Sequence, residues 1–367
     1  MNSRPSVTVI VPFTGSDDGL RACLERLGPL IRRDGDEVLV ADNRRRPGSG
    51  AWPVPADDGG GRVVDGRVVD GRVVQSGRAR VVDGSGARVV AARGRCAPGF
   101  ARNRAAALAV GEWLVFIDAD TRPDARLLDS YFDPPPRAET AVLAGRIVDV
   151  PGGRTLAARH SARRAQLSQR VTLDRAGTPY AQSANMAVRR SAFHALGGFD
   201  DCARAGEDAD LCFRLARAGW QLEERPEAVV EHASRGTLTG LVAQLARHGS
   251  GAAWLNRRYP GEFPPPTWSA FGRRAARSGA QGLAAAFRRR RPTVLGGRRP
   301  GVAGDRHREP GDRHQELVGD GRRELAGAAL VELIGACAFE AGRLLPNRAR
   351  RSWTMISAPP VSGGHRR

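Results

Sequence analysis

Two aspartates separated by one residue, Asp118-Ala119-Asp120, stand at the end of the apolar run Trp113–Ile117. Carboxylates this close repel one another unless a cation or hydrogen-bond donors offset their charge. A hard divalent cation such as Mg2+ takes one or two carboxylates and completes its shell with substrate phosphates. The pair therefore reads as a cation site able to hold a diphosphate, with an ordinary turn as the alternative. A second acidic set, Gly206-Glu207-Asp208-Ala209-Asp210, opens a helical pattern. Acids in a first helical turn suit the helix dipole, and one carboxylate there could also act as a general base toward an acceptor hydroxyl. Arg102, followed by Asn103, carries the planar fork that suits a phosphate, or else lies on an exposed helix face. Asp42 could accept hydrogen bonds from a base or ribose, or cap a turn. His232 could be a further metal ligand, or an ordinary hydrogen-bonded histidine.

Residues so far apart meet only if a sheet gathers them. Residues 7–11 form a β-branched run ending at Pro12, and Leu20, Cys23, Leu24 and Leu27 follow at helical spacing. Residues 37–40 then read as a second strand closing on Ala41-Asp42-Asn43. Strand, helix, strand at this spacing implies a βαβ unit in a parallel sheet. In such sheets ligands bind outside the carboxyl ends of the strands, which places Pro12, Asp42 and Asp118-Ala119-Asp120 on one rim. Further helices are expected over 98–110, 191–196, 208–218, 237–255 and 324–345, a helix and mobile loop over 154–176, and strands over 88–91, 142–150, 185–188 and 229–230. Arg-Val-Val recurs at 62–64, 67–69, 72–74, 80–82 and 88–90. The five-residue period is too short for a solenoid, and the interspersed Gly and Asp favour an expanded surface loop over 44–86.

The chain has 367 residues, a formal charge of +19 and no Lys. Residues 236–367 hold 23 Arg against 9 acids, a basic tail that could meet nucleic acid, anionic lipid or a phosphorylated substrate. Few aromatics interleave with it, which speaks against specific nucleic-acid binding. Five cysteines, at 23, 96, 202, 212 and 337, show no C-x-x-C spacing. An odd count without that spacing implies reduced thiols and a cytoplasmic setting, peripheral at most to the inner face of the membrane. No stretch reaches the roughly 18 apolar residues of a membrane span.

The order of motifs resembles the family 2 glycosyltransferases. The resemblance rests on Val7-Thr8-Val9-Ile10-Val11-Pro12, Ala41-Asp42-Asn43, Ala101-Arg102-Asn103, Phe116-Ile117-Asp118-Ala119-Asp120, Asn185-Met186-Ala187-Val188-Arg189, Gly197-Gly198-Phe199-Asp200 and Gly206-Glu207-Asp208. It covers residues 6–235. It implies an α/β GT-A fold, a Rossmann-like sheet with helices on both faces, followed by a mainly helical basic C-terminal extension. It also implies inverting transfer from a nucleotide-diphospho-sugar to an acceptor hydroxyl, lipid-linked or on a small molecule, with Mg2+ or Mn2+ as cofactor. Carried over, Pro12 and Asp42 flank the base, Arg102 and Asn103 belong to the donor site, and Asp118 and Asp120 contact ribose and metal. His232 is a metal ligand, and Asp208 is the base with Glu207 its rival. Gln244-Leu245-Ala246-Arg247-His248 is similar to the Q-x-x-R-W signature of processive members, with His in place of Trp. This implies a single-addition enzyme in which Arg247 still touches diphosphate.

The expected organisation is a catalytic domain over 1–235, a helical acceptor-side extension over 236–287, a disordered Arg/Gly-rich linker over 288–323, and a final helix and tail over 324–367. Two rival readings have their own marks. A nucleotidyltransferase on a similar fold would carry a Gly-rich basic loop after the first strand, whereas Phe13-Thr14-Gly15-Ser16-Asp17-Asp18 has one Gly, two acids and no base. A non-enzymatic binder of anionic surfaces would act through Arg288 to Arg291.

Overall fold

The computed structural model describes residues 4–44, 64–69, 72–82, 86–164, 168–234, 236–266 and 311–349. The chain divides into two compact units. The first comprises the described residues of Met1–Val148, Leu167–His232 and Asn347–Arg367. The second comprises those of Asp149–Gln166 and Ala233–Pro346.

The first unit is built on a mixed sheet. Its strands are β1 (Val7–Phe13), β2 (Glu37–Asp42), β3 (Val64–Val69), β4 (Arg72–Val82), β5 (Ala87–Ala91), β6 (Trp113–Ile117), β7 (Thr121–Pro123), β8 (Thr140–Val150), β9 (Asn185–Arg189) and β10 (Gln221–Ala233). Their order across the sheet is β3-β4-β5-β2-β1-β6-β9-β8-β10-β7. β5, β2, β1 and β6 run parallel, and β9 continues antiparallel to β6. The helices of this unit are α1 (Asp17–Leu27), α2 (Pro98–Ala106), α3 (Leu127–Tyr131), α5 (Gln169–Leu173), α6 (Arg190–Ala195) and α7 (Glu207–Arg217), with α4 (Leu156–Arg164) belonging to the second unit.

A central parallel strand is buried on both faces, so it must be apolar at nearly every position, and β1 is. Val7, Val9, Val11 and Phe13 face one core, shared with Leu20, Cys23, Leu24 and Leu27 of α1 and Leu127 and Leu128 of α3. Ile10 faces the other, shared with Ala101 and Ala105 of α2, Phe193 of α6, and Leu211, Cys212 and Leu215 of α7. Each such aliphatic side chain contributes about 1.5–3 kcal/mol by leaving water. The helices thus lie on both faces, in the GT-A arrangement.

Beside the short elements β7, α3 and α5, absent from the sequence reading, and the earlier end of α2, three larger differences separate the fold from that reading. The Arg-Val-Val segment, expected as a loop over 44–86, forms the antiparallel pair β3 and β4, with β4 paired onto β5. The sequence between these strands is Asp70-Gly71, which suits a two-residue hairpin loop between Val-rich runs; residues 45–63 lie outside the described residues. The strand expected over 229–230 runs from Gln221 to Ala233; Glu223 and Arg225 pair with each other, and Glu224, Glu227 and Glu231 face water. The last helix, α9 (Gly311–Gly342), begins within the segment expected as a linker over 288–323. The rest of that segment lies outside the described residues, as do 267–287 and the tail beyond Ala349.

The second unit gathers α4, α8 (Leu238–Arg258) and α9. Thr237 caps α8 by accepting the Gly240 amide at 3.1 Å. The helices α8 and α9 pack backbone to backbone: a Cβ on Gly249 would overlap the Phe339 carbonyl, and one on Gly342 the Ala246 carbonyl. No helix among the described residues is long and apolar enough to cross a membrane.

Candidate active site

Within the first unit the site is assembled around one buried arginine. Pro98 at the start of α2 presets its first turn, and α2 approaches the loop 199–206 closely: a Cβ on Gly99 would stand 2.8 Å from the Asp200 carbonyl and 3.3 Å from Glu207 Cγ. Arg102, one turn later and 3% exposed, points between two acids. Its Nη2 donates to Asp118 Oδ1 at 2.7 Å and its Nη1 to Glu207 Oε1 at 2.9 Å. The guanidinium also lies 5.6 Å from the centre of the Phe199 ring. The acids at the tip of β6 and the start of α7, 89 positions apart in sequence, are thereby joined through one cation.

The turn 118–120 is held from several sides. Thr121 donates its amide and hydroxyl to the Asp118 carbonyl at 3.1 and 2.7 Å. Arg26 of α1 donates to the Ala119 carbonyl at 2.6 Å. The pairing of β7 with β10 sets His232 opposite Thr121, which leaves His232 Nε2 3.7 Å from Asp120 Oδ2. A buried imidazole nitrogen and a carboxylate oxygen at this spacing could both reach one divalent cation, whose remaining positions phosphate oxygens would fill. Among the described residues no group of three or more His, Cys, Asp and Glu closes on one point. His232 and Asp120 fit as two ligands of an ion whose other positions a diphosphate would complete, while Asp118 is engaged by Arg102.

Glu207 and Asp208 open α7 after Gly206, whose φ of +82° favours glycine. Glu207 is 5% exposed. Burial, then the charge of Asp208, pushes its carboxyl up to about 7 against the pull of Arg102. Burial also raises the Asp208 carboxyl, opposed by the Ala209 amide, Arg102 and the Ser183 amide. Asp208 accepts from Ala209 N at 2.8 Å and from Ser183 N at 3.3 Å. It is half-buried and, among the described residues, makes no ion pair as close as that of Glu207.

The remaining expected residues are placed as follows. Arg102, read as a phosphate ligand, lies buried and bonded to Asp118 and Glu207. Asn103, read with the donor site, clamps the neighbouring loop: its amide nitrogen donates to Phe199 O at 2.8 Å and Asp201 Oδ1 at 2.7 Å, and its oxygen accepts from Phe199 N at 3.0 Å. Asp42 ends β2 on the same rim, as does Pro12, which pairs with Ala41. The Asp42 carboxylate is gripped by Arg44 at 2.8 and 2.9 Å, and Arg44 lies 5.4 Å from the Phe13 ring centre while also pairing with Asp17. Arg247 lies on α8, in the second unit. Sequence reasoning missed Arg26, Arg44 and Ser183, since a backbone contact or a grip on a neighbouring acid leaves no spacing pattern.

Residues 113–289 match the family model described as glycosyl transferase family group 2. Two curated relatives, the pre-mycofactocin glycosyltransferases of Mycobacterium tuberculosis strains CDC 1551 / Oshkosh and ATCC 25618 / H37Rv, are each 30% identical over 271 residues, covering 72% of this chain and 50% of the relative. The chain thus spans about half the length of the curated relatives it matches. Among solved structures, a mannosyltransferase from Pyrobaculum calidifontis in complex with GDP-Man and Mn2+ shares the fold with a TM-score of 0.51 at 18% identity, over 92% of this chain and 88% of that one. On the family-model match and the likeness to curated glycosyltransferases, the chain belongs to the family 2 glycosyltransferases.

Proposed function

We propose that this chain transfers a glycosyl group from a nucleotide-diphospho-sugar to an acceptor hydroxyl by a single, inverting displacement. The observation that carries the proposal is Arg102 bonded at once to Asp118 and Glu207. A donor held at Asp118-Ala119-Asp120 and a hydroxyl held at Glu207-Asp208 would then be neighbours.

The roles follow from environment. Asp118 and Pro12 bound the donor side of the rim, with Asp42 toward the base. Asp120 and His232 would hold Mg2+ or Mn2+, which when bound supplies positive charge to the leaving diphosphate. Glu207 is sequestered by Arg102, whereas Asp208 is more accessible, and burial raises its carboxyl, which strengthens it as a proton acceptor. Asp208 takes the hydroxyl proton, and the oxygen attacks the anomeric carbon on the face opposite the departing diphosphate. Arg102 keeps two acids close without repulsion and excludes water from between them.

The test is incubation with labelled UDP- and GDP-sugars in the presence of Mn2+, scored for nucleoside diphosphate release and for transfer to added acceptors. Release abolished by chelation and restored by Mn2+ is expected. Full-rate release in chelator would remove the cation from the scheme, and silence with every donor would overturn the transferase itself.

A further inference from the structure

The loop that delivers Glu207 and Asp208 is closed by a residue from the far end of the chain. Asn347 is 4% exposed. Its Oδ1 accepts the amides of Arg204 and Ala205, each at 3.2 Å, and its Nδ2 donates to the Ala205 carbonyl at 2.9 Å. Arg348 bridges Ala203 in antiparallel fashion, and the Ala349 amide donates to the Cys202 carbonyl at 2.7 Å. The opposite side of the loop is tied by Asp200, whose Oδ1 accepts the amides of Cys202 at 2.8 Å and Ala203 at 3.0 Å.

We propose that Asn347 is a positioning residue that clamps the loop 202–206 and so fixes where α7 begins. Three features support this. The contact is side chain to backbone on both donor and acceptor groups, so it specifies the path of the loop rather than merely filling space. Ala205 is buried, so its amide and carbonyl have no easy replacement in water once Asn347 is gone. The clamp ends two residues before Glu207 and three before Asp208, with only Gly206, in its left-handed conformation, between. That the clamped acids serve the reaction rests on the glycosyl-transfer reading above; the clamp itself does not.

The experiment compares the full-length chain with Asn347→Ala, Asn347→Asp and Asn347→Leu, by amide hydrogen exchange and by steady-state kinetics. In the Ala and Leu variants, exchange over 202–209 should quicken by about 10- to 100-fold, as loss of buried hydrogen bonds predicts, while β1 and β6 stay protected. Turnover should fall by about 10- to 100-fold, the usual result of misplacing a reacting group by an ångström. The KM for the donor should stay within about twofold, since the donor side of the rim is untouched. Asn347→Asp keeps both acceptor contacts but sets a carboxylate oxygen against the Ala205 carbonyl, so it should recover only part of the protection and rate. Unchanged exchange at 202–209 would overturn the clamp. Lost protection with full turnover would overturn the positioning role, as would equal losses in turnover and donor affinity. Should the wild-type chain transfer no sugar at all, exchange still decides the clamp, and only the catalytic reading falls.

Discussion

Glu207 and Glu223 are both glutamates held by arginine, yet their carboxyls move in opposite directions. Glu223, on β10, accepts from the Thr140 hydroxyl, from Arg225 Nη2 at 2.6 Å, and from the amide and Nε of Arg137 at 3.1 Å each. Those donors overcome its partial burial and bring its carboxyl down to about 2. Glu207 has one arginine, shared with Asp118, and a second acid as its neighbour in sequence; its carboxyl rises to about 7. Deep burial and the adjacent charge of Asp208 outweigh the single arginine at Glu207, whereas at Glu223 several donors outweigh a shallower burial, so the presence of an arginine alone does not set the sign. One arrangement fixes a strand. The other leaves protons within reach of neutral pH, as acid–base chemistry needs.

The comparison is broken most severely by Asp208→Asn. Removing a general base lowers turnover by about 10²- to 10⁴-fold, and because the asparagine is nearly isosteric, nucleotide binding with Mn2+ should stay within about twofold by calorimetry. Equal loss of binding and turnover would assign Asp208 to the donor instead. Next is Arg102→Gln. It leaves Asp118 and Glu207 without their shared cation, and breaking a buried ion pair typically costs about 3–5 kcal/mol, readable by urea unfolding. Since Arg102 holds both acidic pKa values down, the acid limb of the rate profile should also move up by about one pH unit or more. A stability loss with an unmoved limb would reduce Arg102 to packing.

What the sequence made legible follows from where the information lies. The β-branched run of β1, the helical spacing of Leu20, Cys23, Leu24 and Leu27, and the acids after β6 are local patterns, and each read correctly as strand, helix and strand tip. The pairing of Arg102 with Asp118 and Glu207 is not local. Its alternative, an arginine facing a phosphate, uses the same chemistry, so composition could not choose between them. β3 and β4 were hidden by their five-residue period, which imitates neither helix nor alternating strand, although Asp70-Gly71 was available as a turn signal. β10 was read too short because Glu223, Glu224, Arg225 and Glu227 look like a solvated loop, while in the fold Glu223 and Arg225 neutralise each other. Asn347 carried no signal, since a lone asparagine is common wherever a helix ends.

The finest test sets the two glutamates against pH directly. Glu223, at about 2 in the folded chain, lies below the unfolded value near 4.3. Its carboxylate therefore contributes stability above about pH 4.3, lost as pH falls toward 2. Glu207, at about 7, lies above its unfolded value, so the folded chain binds the extra proton. Its contribution is fully present below about pH 4.3 and lost as pH rises through 7. Against wild type, Glu223→Gln should be about 1–2 kcal/mol less stable at neutral pH, as loss of charge-assisted hydrogen bonds implies, with the deficit closing only in acid. Glu207→Gln should run the other way, its deficit largest near pH 4 and shrinking toward pH 8. Urea midpoints from about pH 2 to about pH 8 measure both. Deficits that change with the same sign would mean that Arg102 dominates Glu207 as Arg225 and its neighbours dominate Glu223, and the proton at neutral pH would have to come from elsewhere on the rim.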